Sequence, residues 1–87
     1  MLSDRRLFNA PTGHSVLAMV TSATHSPWPL DCVLADFAAA GLPAPSRVRW
    51  KLFTLDHRLI RGVLGRLTPA DAAQVRAALV ALLPIGT

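Results

Sequence analysis

Three basic residues at alternate positions are the clearest anion-binding candidates in this sequence. Arg47, Arg49 and Lys51 are separated by the apolar residues Val48 and Trp50, so in a strand the three cations would share one face. A row of cations at that spacing could follow the phosphate backbone of RNA. The alternative is that the row is simply a solvated outer face.

Two further side chains could take part in nucleic-acid chemistry. Trp28 stands between two prolines, where an exposed indole could stack a base, or else pack within its own loop. His25 follows an apolar segment that begins at His14, and an imidazole there could exchange protons near neutral pH. The alternative for His25 is an ordinary surface loop residue.

The sequence lacks the residue patterns of metal sites, phosphate-binding loops and nucleophilic catalysis. Three isolated histidines and one cysteine show no metal-ligand spacing, so neither a metal nor another cofactor is predicted. The chain also contains no glycine-rich phosphate loop and no pattern of nucleophile and base.

Composition favours an anionic partner and subunit association. Nine basic residues against five acidic ones give a net charge of +4, and eight of the nine are arginine, whose planar fork suits phosphate. RNA is the natural candidate, although a GC-rich coding sequence would also enrich arginine. A single domain of 87 residues with 52% hydrophobic and 16% charged residues has a small core and an apolar surface, which a homodimer would cover.

The chain is expected to be cytoplasmic. Its single cysteine, Cys32, excludes an internal disulfide framework, and early charges at Asp4, Arg5 and Arg6 argue against a signal peptide. The longest uncharged run, Pro11–Leu30, contains histidines, prolines and hydroxyls, so it does not predict a membrane span.

The secondary-structure elements that must position these residues are predicted from hydrophobic periodicity and from the positions of proline and glycine. An irregular lead-in over residues 1–13 precedes a β-branched apolar strand over 14–22, expected to be central and covered on both faces. A proline-containing loop over 23–29 leads to a short strand over 30–34, a helical turn over 36–41 closed by glycine, and an extended connector over 42–45. A strand over 46–55 places Val48, Trp50 and Leu52 opposite the basic residues.

The last third predicts a bend, a strand and a helix. Asp56 and Arg58 are expected to fix the bend by local hydrogen bonds. The strand over 60–67 contains Gly62 and Gly65, which suggest a bulge or a close backbone approach. Thr68 caps a helix over 69–83 with Ala72, Val75, Leu79 and Leu82 on one stripe. Residues 77–83 are apolar all round, which predicts a second contact, such as a partner helix.

Short motifs in a fixed order run along nearly the whole chain. They are Leu2-Ser3-Asp4, Phe8-Asn9-Ala10, Thr12-Gly13, VLAMVTS over 16–22, PSRVR over 45–49, KLFTLD over 51–56, Gly65-Arg66-Leu67 and the capped helix. Their order and spacing resemble the MazF/PemK toxins, small endoribonucleases of type II toxin–antitoxin systems. The resemblance implies an α+β, mainly β fold: an SH3-like small β-barrel over 14–67, incomplete at its N-terminus, with a C-terminal helix.

The same resemblance implies roles for residues and partners. Thr21 matches the family's catalytic threonine, whose hydroxyl can hydrogen-bond a phosphoryl oxygen as charge builds there. The alternative is a hydroxyl at the end of a strand that bonds to the next loop. Ser22 follows Thr21 and could contact the RNA backbone, or strand alternation could turn its side chain to the opposite face. The resemblance also implies a homodimer whose groove binds single-stranded mRNA, and a cognate antitoxin that occupies this groove with an acidic, flexible segment.

One departure from the family pattern leaves two functions open. Family members carry a β-hairpin with a cleavage arginine ahead of the segment that matches Leu2-Ser3-Asp4, and this sequence begins after that point. Arg5 and Arg6 lie downstream and do not match that arginine. The sequence therefore allows a metal-independent endoribonuclease toxin, or a truncated, non-catalytic remnant that dimerises and binds antitoxin or nucleic acid.

Overall fold

Three strands and a C-terminal helix make up most of the regular structure. A computed structural model describes residues 1–85. In chain order it contains a π-helical turn Arg5–Asn9, α1 Ala10–Thr12, β1 His14–Ser22, β2 Cys32–Val33, β3 Ser46–Asp56, a 3₁₀ turn His57–Leu59 and α2 Pro69–Leu82. The strands form one sheet in the order β1-β3-β2, and β2 pairs antiparallel to β3 with Cys32 opposite Val48. The predicted α+β class with a C-terminal helix is confirmed.

The two long strands occupy the segments that the sequence predicts, but their places in the sheet differ. β1 has the predicted bounds, and β3 ends one residue beyond them. The prediction that β1 is central is wrong, because β3 lies between β1 and β2. The apolar run in β1 is only partly buried, whereas the first four residues of β3 are all buried. The apolar run of β1 thus predicts a strand correctly, but it does not predict the position of that strand in the sheet.

The chain divides into two compact units, of which the first contains residues 1–19 and 50–63. In this unit the predicted irregular lead-in is wrong, because Asp4 caps a helical turn by accepting hydrogen bonds from Arg6 N and Leu7 N. The buried Asn9 amide donates to Ser3 O at 3.1 Å, and Val16 N donates to Ser3 Oγ at 2.8 Å. Local polar contacts therefore order a segment that has little apolar periodicity.

The second unit contains residues 20–49 and those from 64 onward, and it contains the buried apolar side chains. Cys32, Leu34, Val48 and Val75 are the buried hydrophobic residues in the part of the chain that is described. Helix α2 packs on β2, and Gln74 Nε2 donates to Val33 O at 3.1 Å. The predicted apolar stripe of α2 is confirmed, because its four residues are buried or half-buried.

The start of α2 is held by a cap and by a buried carboxylate. Thr68 Oγ1 accepts from Asp71 N, as the N-cap pattern predicts. The Asp71 side chain accepts from Ala35 N at 2.9 Å and Asp36 N at 3.0 Å, and these bonds lower its pKa. Asp71 therefore anchors the turn after β2 to the helix. Within residues 1–85, no helix is both long and apolar enough to cross a membrane.

The predicted strand over 60–67 is wrong, because this segment has no regular structure. Instead, Arg66 N donates to Ala39 O at 3.2 Å, and a Cβ on Gly65 would lie 2.7 Å from that same oxygen. The close backbone approach predicted at Gly65 is thus confirmed. It joins the segment to a turn over 37–42 rather than to the sheet.

That turn ends at Gly41, as the sequence predicts. Gly41 N donates to Ala38 O and Leu42 N donates to Phe37 O, the paired bonds that close a helical turn through a left-handed residue. Gly41 has φ +76°, and a Cβ there would overlap the carbonyl oxygen of Leu64. Both the dihedral angle and the close contact therefore require glycine.

Gly41→Ala is expected to lower the free energy of unfolding by about 3 kcal/mol, the combined cost of a left-handed residue and of displacing the neighbouring backbone. Gly13→Ala is the matched control, because Gly13 has φ +67° but no atom within 4 Å of its Cβ position. It should cost only about 1 kcal/mol. Equal losses in urea denaturation would contradict the proposed backbone contact.

Candidate nucleic-acid interface

The C-terminal end of β1 carries the two hydroxyls that the sequence analysis singled out. Thr21 is half-buried, and within residues 1–85 its hydroxyl has no hydrogen-bond partner. Ser22 Oγ lies 2.8 Å from Thr24 Oγ1 and accepts from Thr24 N at 3.2 Å. This local turn ends the strand and leads the chain into an exposed loop.

The loop over 23–30 carries the predicted histidine and tryptophan. His25 is exposed, and its backbone N donates to Ser22 O at 3.2 Å. Trp28 is 44% exposed. Ala23 N donates to Pro45 O at 3.0 Å, which ties the start of the loop to the residue before β3. Thr21, Ser22, His25 and Trp28 therefore all lie in the second unit, at the end of β1 and in the loop that follows it.

Asp31, at the end of this loop, joins the loop to β3 through two arginines. Arg49 donates to both carboxylate oxygens, at 2.9 Å from Nη2 and 3.3 Å from Nε. Arg47 Nη1 lies 3.4 Å from Oδ2 of the same group. Trp28 N also donates to Oδ2, at 2.9 Å. The Asp31 side chain is only 3% exposed, so one buried carboxylate pairs with two buried guanidiniums.

The same guanidiniums hold the loop backbone. Arg47 Nη2 donates to Ala23 O at 2.5 Å, and Arg49 Nη2 donates to Ser26 O at 2.6 Å. The Arg49 guanidinium also lies over the Trp28 ring, 4.6 Å from its centroid. We call Asp31, Arg47 and Arg49 the Asp31 cluster. It connects three points of the loop to the sheet.

Electrostatics keep the central group of this cluster ionised. The hydrogen bond from Arg49 is the largest influence, and it outweighs desolvation, so the pKa of Asp31 is lowered to about 2. The carboxylate is therefore charged at every pH at which RNA cleavage would be measured. The cluster is a permanent ion network rather than a group that titrates near neutrality.

These contacts correct the prediction of an exposed basic stripe. The side chains of Arg47 and Arg49 are 10% and 8% exposed, so they form neither a solvated face nor an open row for phosphate. The reason is that Asp31, together with the loop, covers this side of β3. Lys51 is exposed, as predicted, and lies in the first unit. Asp31 itself was missed by the sequence analysis.

The remaining histidines lie in the first unit and have structural partners. His57 Nε2 shares a 2.8 Å hydrogen bond with Ser15 Oγ, but Ser15 is fully buried and is not placed to act as a nucleophile. His14 Nε2 lies 3.8 Å from Asp56 Oδ2. Asp56 also accepts from Arg58 N and from its guanidinium, which confirms the predicted role of this pair in the bend.

Comparisons with known proteins show the family and the fold that this chain shares. A family model of the PemK-like, MazF-like toxins of type II toxin–antitoxin systems matches residues 2–83. A chain of the MazE-MazF (Form-III) crystal structure from Deinococcus radiodurans is similar at 26% identity, with 91% of this chain and 77% of that chain covered and a TM-score of 0.69. A chain of the MazE-MazF (Form-II) structure from the same organism is similar at 27% identity, with 87% of this chain and 70% of that chain covered and a TM-score of 0.67. No curated protein sequence matches the chain.

Proposed function

We propose that this chain, which belongs to the PemK-like, MazF-like family of type II toxin–antitoxin toxins, is an endoribonuclease that cuts single-stranded mRNA without a metal ion. The observation that carries the proposal is the position of Thr21. This residue matches the family's catalytic threonine, and its half-buried hydroxyl stands at the end of β1, beside an exposed loop. Its hydrogen is available for a ligand.

The proposed reaction uses the RNA's own nucleophile. The ribose 2′-oxygen bonds to the adjacent phosphorus and the bond to the 5′-oxygen breaks, which leaves a cyclic phosphate and a 5′-hydroxyl. Negative charge on the phosphoryl oxygens is stabilised by a hydrogen bond that Thr21 donates. His25, exposed four residues later, accepts or returns the proton that the 2′-hydroxyl loses and the leaving oxygen gains.

The bound RNA is proposed to contact the loop of the second unit, where Trp28 stacks a base and Ser22 contacts the RNA backbone. Lys51, in the first unit, is proposed separately as a contact for phosphate. Arg47 and Arg49 act indirectly, by supporting the loop. The net charge of +4 increases the rate of encounter with a polyanion at low salt.

We also propose a homodimer and a cognate antitoxin as partners. Helix α2 exposes Ala77, Ala81 and Val80, the last 63% exposed, and a second subunit would cover this surface. The buried apolar core is small, which favours the same arrangement. An antitoxin with an acidic segment would complement the basic charge and compete with RNA for the interface.

Cleavage of a long single-stranded RNA in the presence of EDTA tests the proposal. We expect discrete fragments with 5′-hydroxyl ends, resolved by gel electrophoresis and end labelling. The matched control is the same sequence with 2′-deoxyribose at the cleaved positions, which must stay intact because it lacks the attacking hydroxyl. Intact RNA would favour the non-catalytic binding role, and cleavage of the deoxy substrate would reject the mechanism.

A further inference from the structure

We propose that Asp31 is a positioning residue for RNA cleavage: it holds the loop over 23–30 in the conformation that presents His25 and Trp28 beside Thr21. This inference rests on the proposed function. It assigns a role to a residue that touches neither the predicted catalytic hydroxyl nor the RNA. The role follows from what Asp31 binds and from what those partners bind in turn.

The first step is the dependence of the two arginines on Asp31. Both guanidiniums are nearly excluded from solvent, and Asp31 is the carboxylate that both of them contact. A buried cation without a counter-charge is strongly unfavourable, so loss of the Asp31 charge would drive the guanidiniums toward water. The arginines stay under the loop because the carboxylate keeps them there.

The second step is the dependence of the loop on the arginines. Residues 24–30 are all exposed and have no apolar core of their own to order them. The carbonyls of Ala23 and Ser26 accept from the two guanidiniums, and Trp28 is held both by its N–H bond to Asp31 and by the ring contact with Arg49. Release of the arginines would therefore allow this loop many conformations.

The sign of the expected effect separates positioning from simple electrostatics. Asp31→Asn would raise the net charge from +4 by one unit, and added positive charge alone strengthens RNA binding. A disordered loop would instead weaken binding, because the stacking side chain is no longer held in place. The two effects act on KM in opposite directions.

The experiment compares Asp31→Asn with the parent protein and with Asp36→Asn. Asp36 is exposed and caps a different turn by accepting from Ala39 N, so its substitution makes the same charge change away from the loop. For Asp31→Asn we expect KM for RNA to rise at least fivefold and the fluorescence of Trp28, isolated in a Trp50→Phe background, to shift toward that of exposed indole. Asp36→Asn should keep the parental KM and emission.

The KM measurement distinguishes positioning from a loss of folded protein. A purely structural defect lowers the concentration of active enzyme and hence the apparent kcat, but it leaves KM unchanged. An unchanged KM and unchanged Trp28 emission in folded Asp31→Asn would overturn the proposal. If that variant does not fold, Arg49→Lys is the second test: it keeps a cation for Asp31 but lacks the planar fork, and the same rise in KM is expected.

The outcomes also separate this inference from the proposed function. Failure of the parent protein to cleave RNA would overturn the nuclease and, with it, the positioning role. Cleavage by the parent together with a parental KM in both variants would overturn the positioning role alone.

Discussion

Thr21→Val is expected to lower the rate of RNA cleavage at least a hundredfold while leaving the fold intact. Valine has nearly the shape of threonine and suits a strand, and within residues 1–85 the Thr21 hydroxyl forms no hydrogen bond that the folded protein would lose. In the proposed transition state the same hydroxyl donates to a phosphoryl oxygen. Loss of one such donor typically slows an enzyme by roughly 100- to 1,000-fold. Initial rates at saturating RNA measure the effect.

Thr54→Val provides the matched control for this substitution. Thr54 is an exposed threonine within β3, so the change removes the same atoms from a strand of the same sheet. It should cleave at the parental rate. If Thr21→Val retained cleavage within threefold of the parent while folding normally by circular dichroism, the hydroxyl would have no catalytic role.

The sequence predicts the elements that local chemistry specifies. β1 and β3 follow from β-branched and alternating residues, and α2 begins at a hydroxyl cap followed by proline. The glycine that closes the turn after β2 is also local, because a left-handed residue favours glycine whatever surrounds it. Each of these signals lies within a few residues of the structure it determines.

The errors arise where distant residues decide the outcome. Alternation in β3 predicts one basic, solvent-facing side, but Asp31 and its loop cover that side. The carboxylate lies 16 residues from Arg47 and 18 from Arg49, so no local pattern connects them. The wrong strand over 60–67 has a similar cause, because its backbone contacts the turn over 37–42 rather than the sheet.

The Asp31 cluster also changes what the arginine content indicates about RNA binding. Two of the eight arginines are buried inside the protein, where they share one carboxylate that offsets half of their charge. The net charge therefore overestimates the number of cations on β3 that RNA could contact. Cleavage then depends more on the placement of a few loop residues than on a broad basic surface, because stacking and hydrogen bonding need fixed geometry.

Arg49→Ala is expected to lower the free energy of unfolding by about 3 kcal/mol, measured by urea denaturation. The substitution leaves the buried Asp31 with the longer ion pair to Arg47 and the hydrogen bond from Trp28 N, and it removes the donor to Ser26 O. Breaking a buried ion pair from one side costs several kcal/mol, because the remaining charge stays desolvated.

Arg58→Ala is the matched control, since it removes another arginine bound to an aspartate. The Arg58 side chain is 89% exposed although its contact with Asp56 is short, at 2.7 Å. Solvent screens an exposed pair and each partner can be hydrated alone, so this variant should unfold at the parental urea concentration. The comparison holds residue type and partner type constant and varies burial. Equal stability of both variants would mean that the Asp31 cluster is open to water in solution, and that it cannot hold the loop against the sheet.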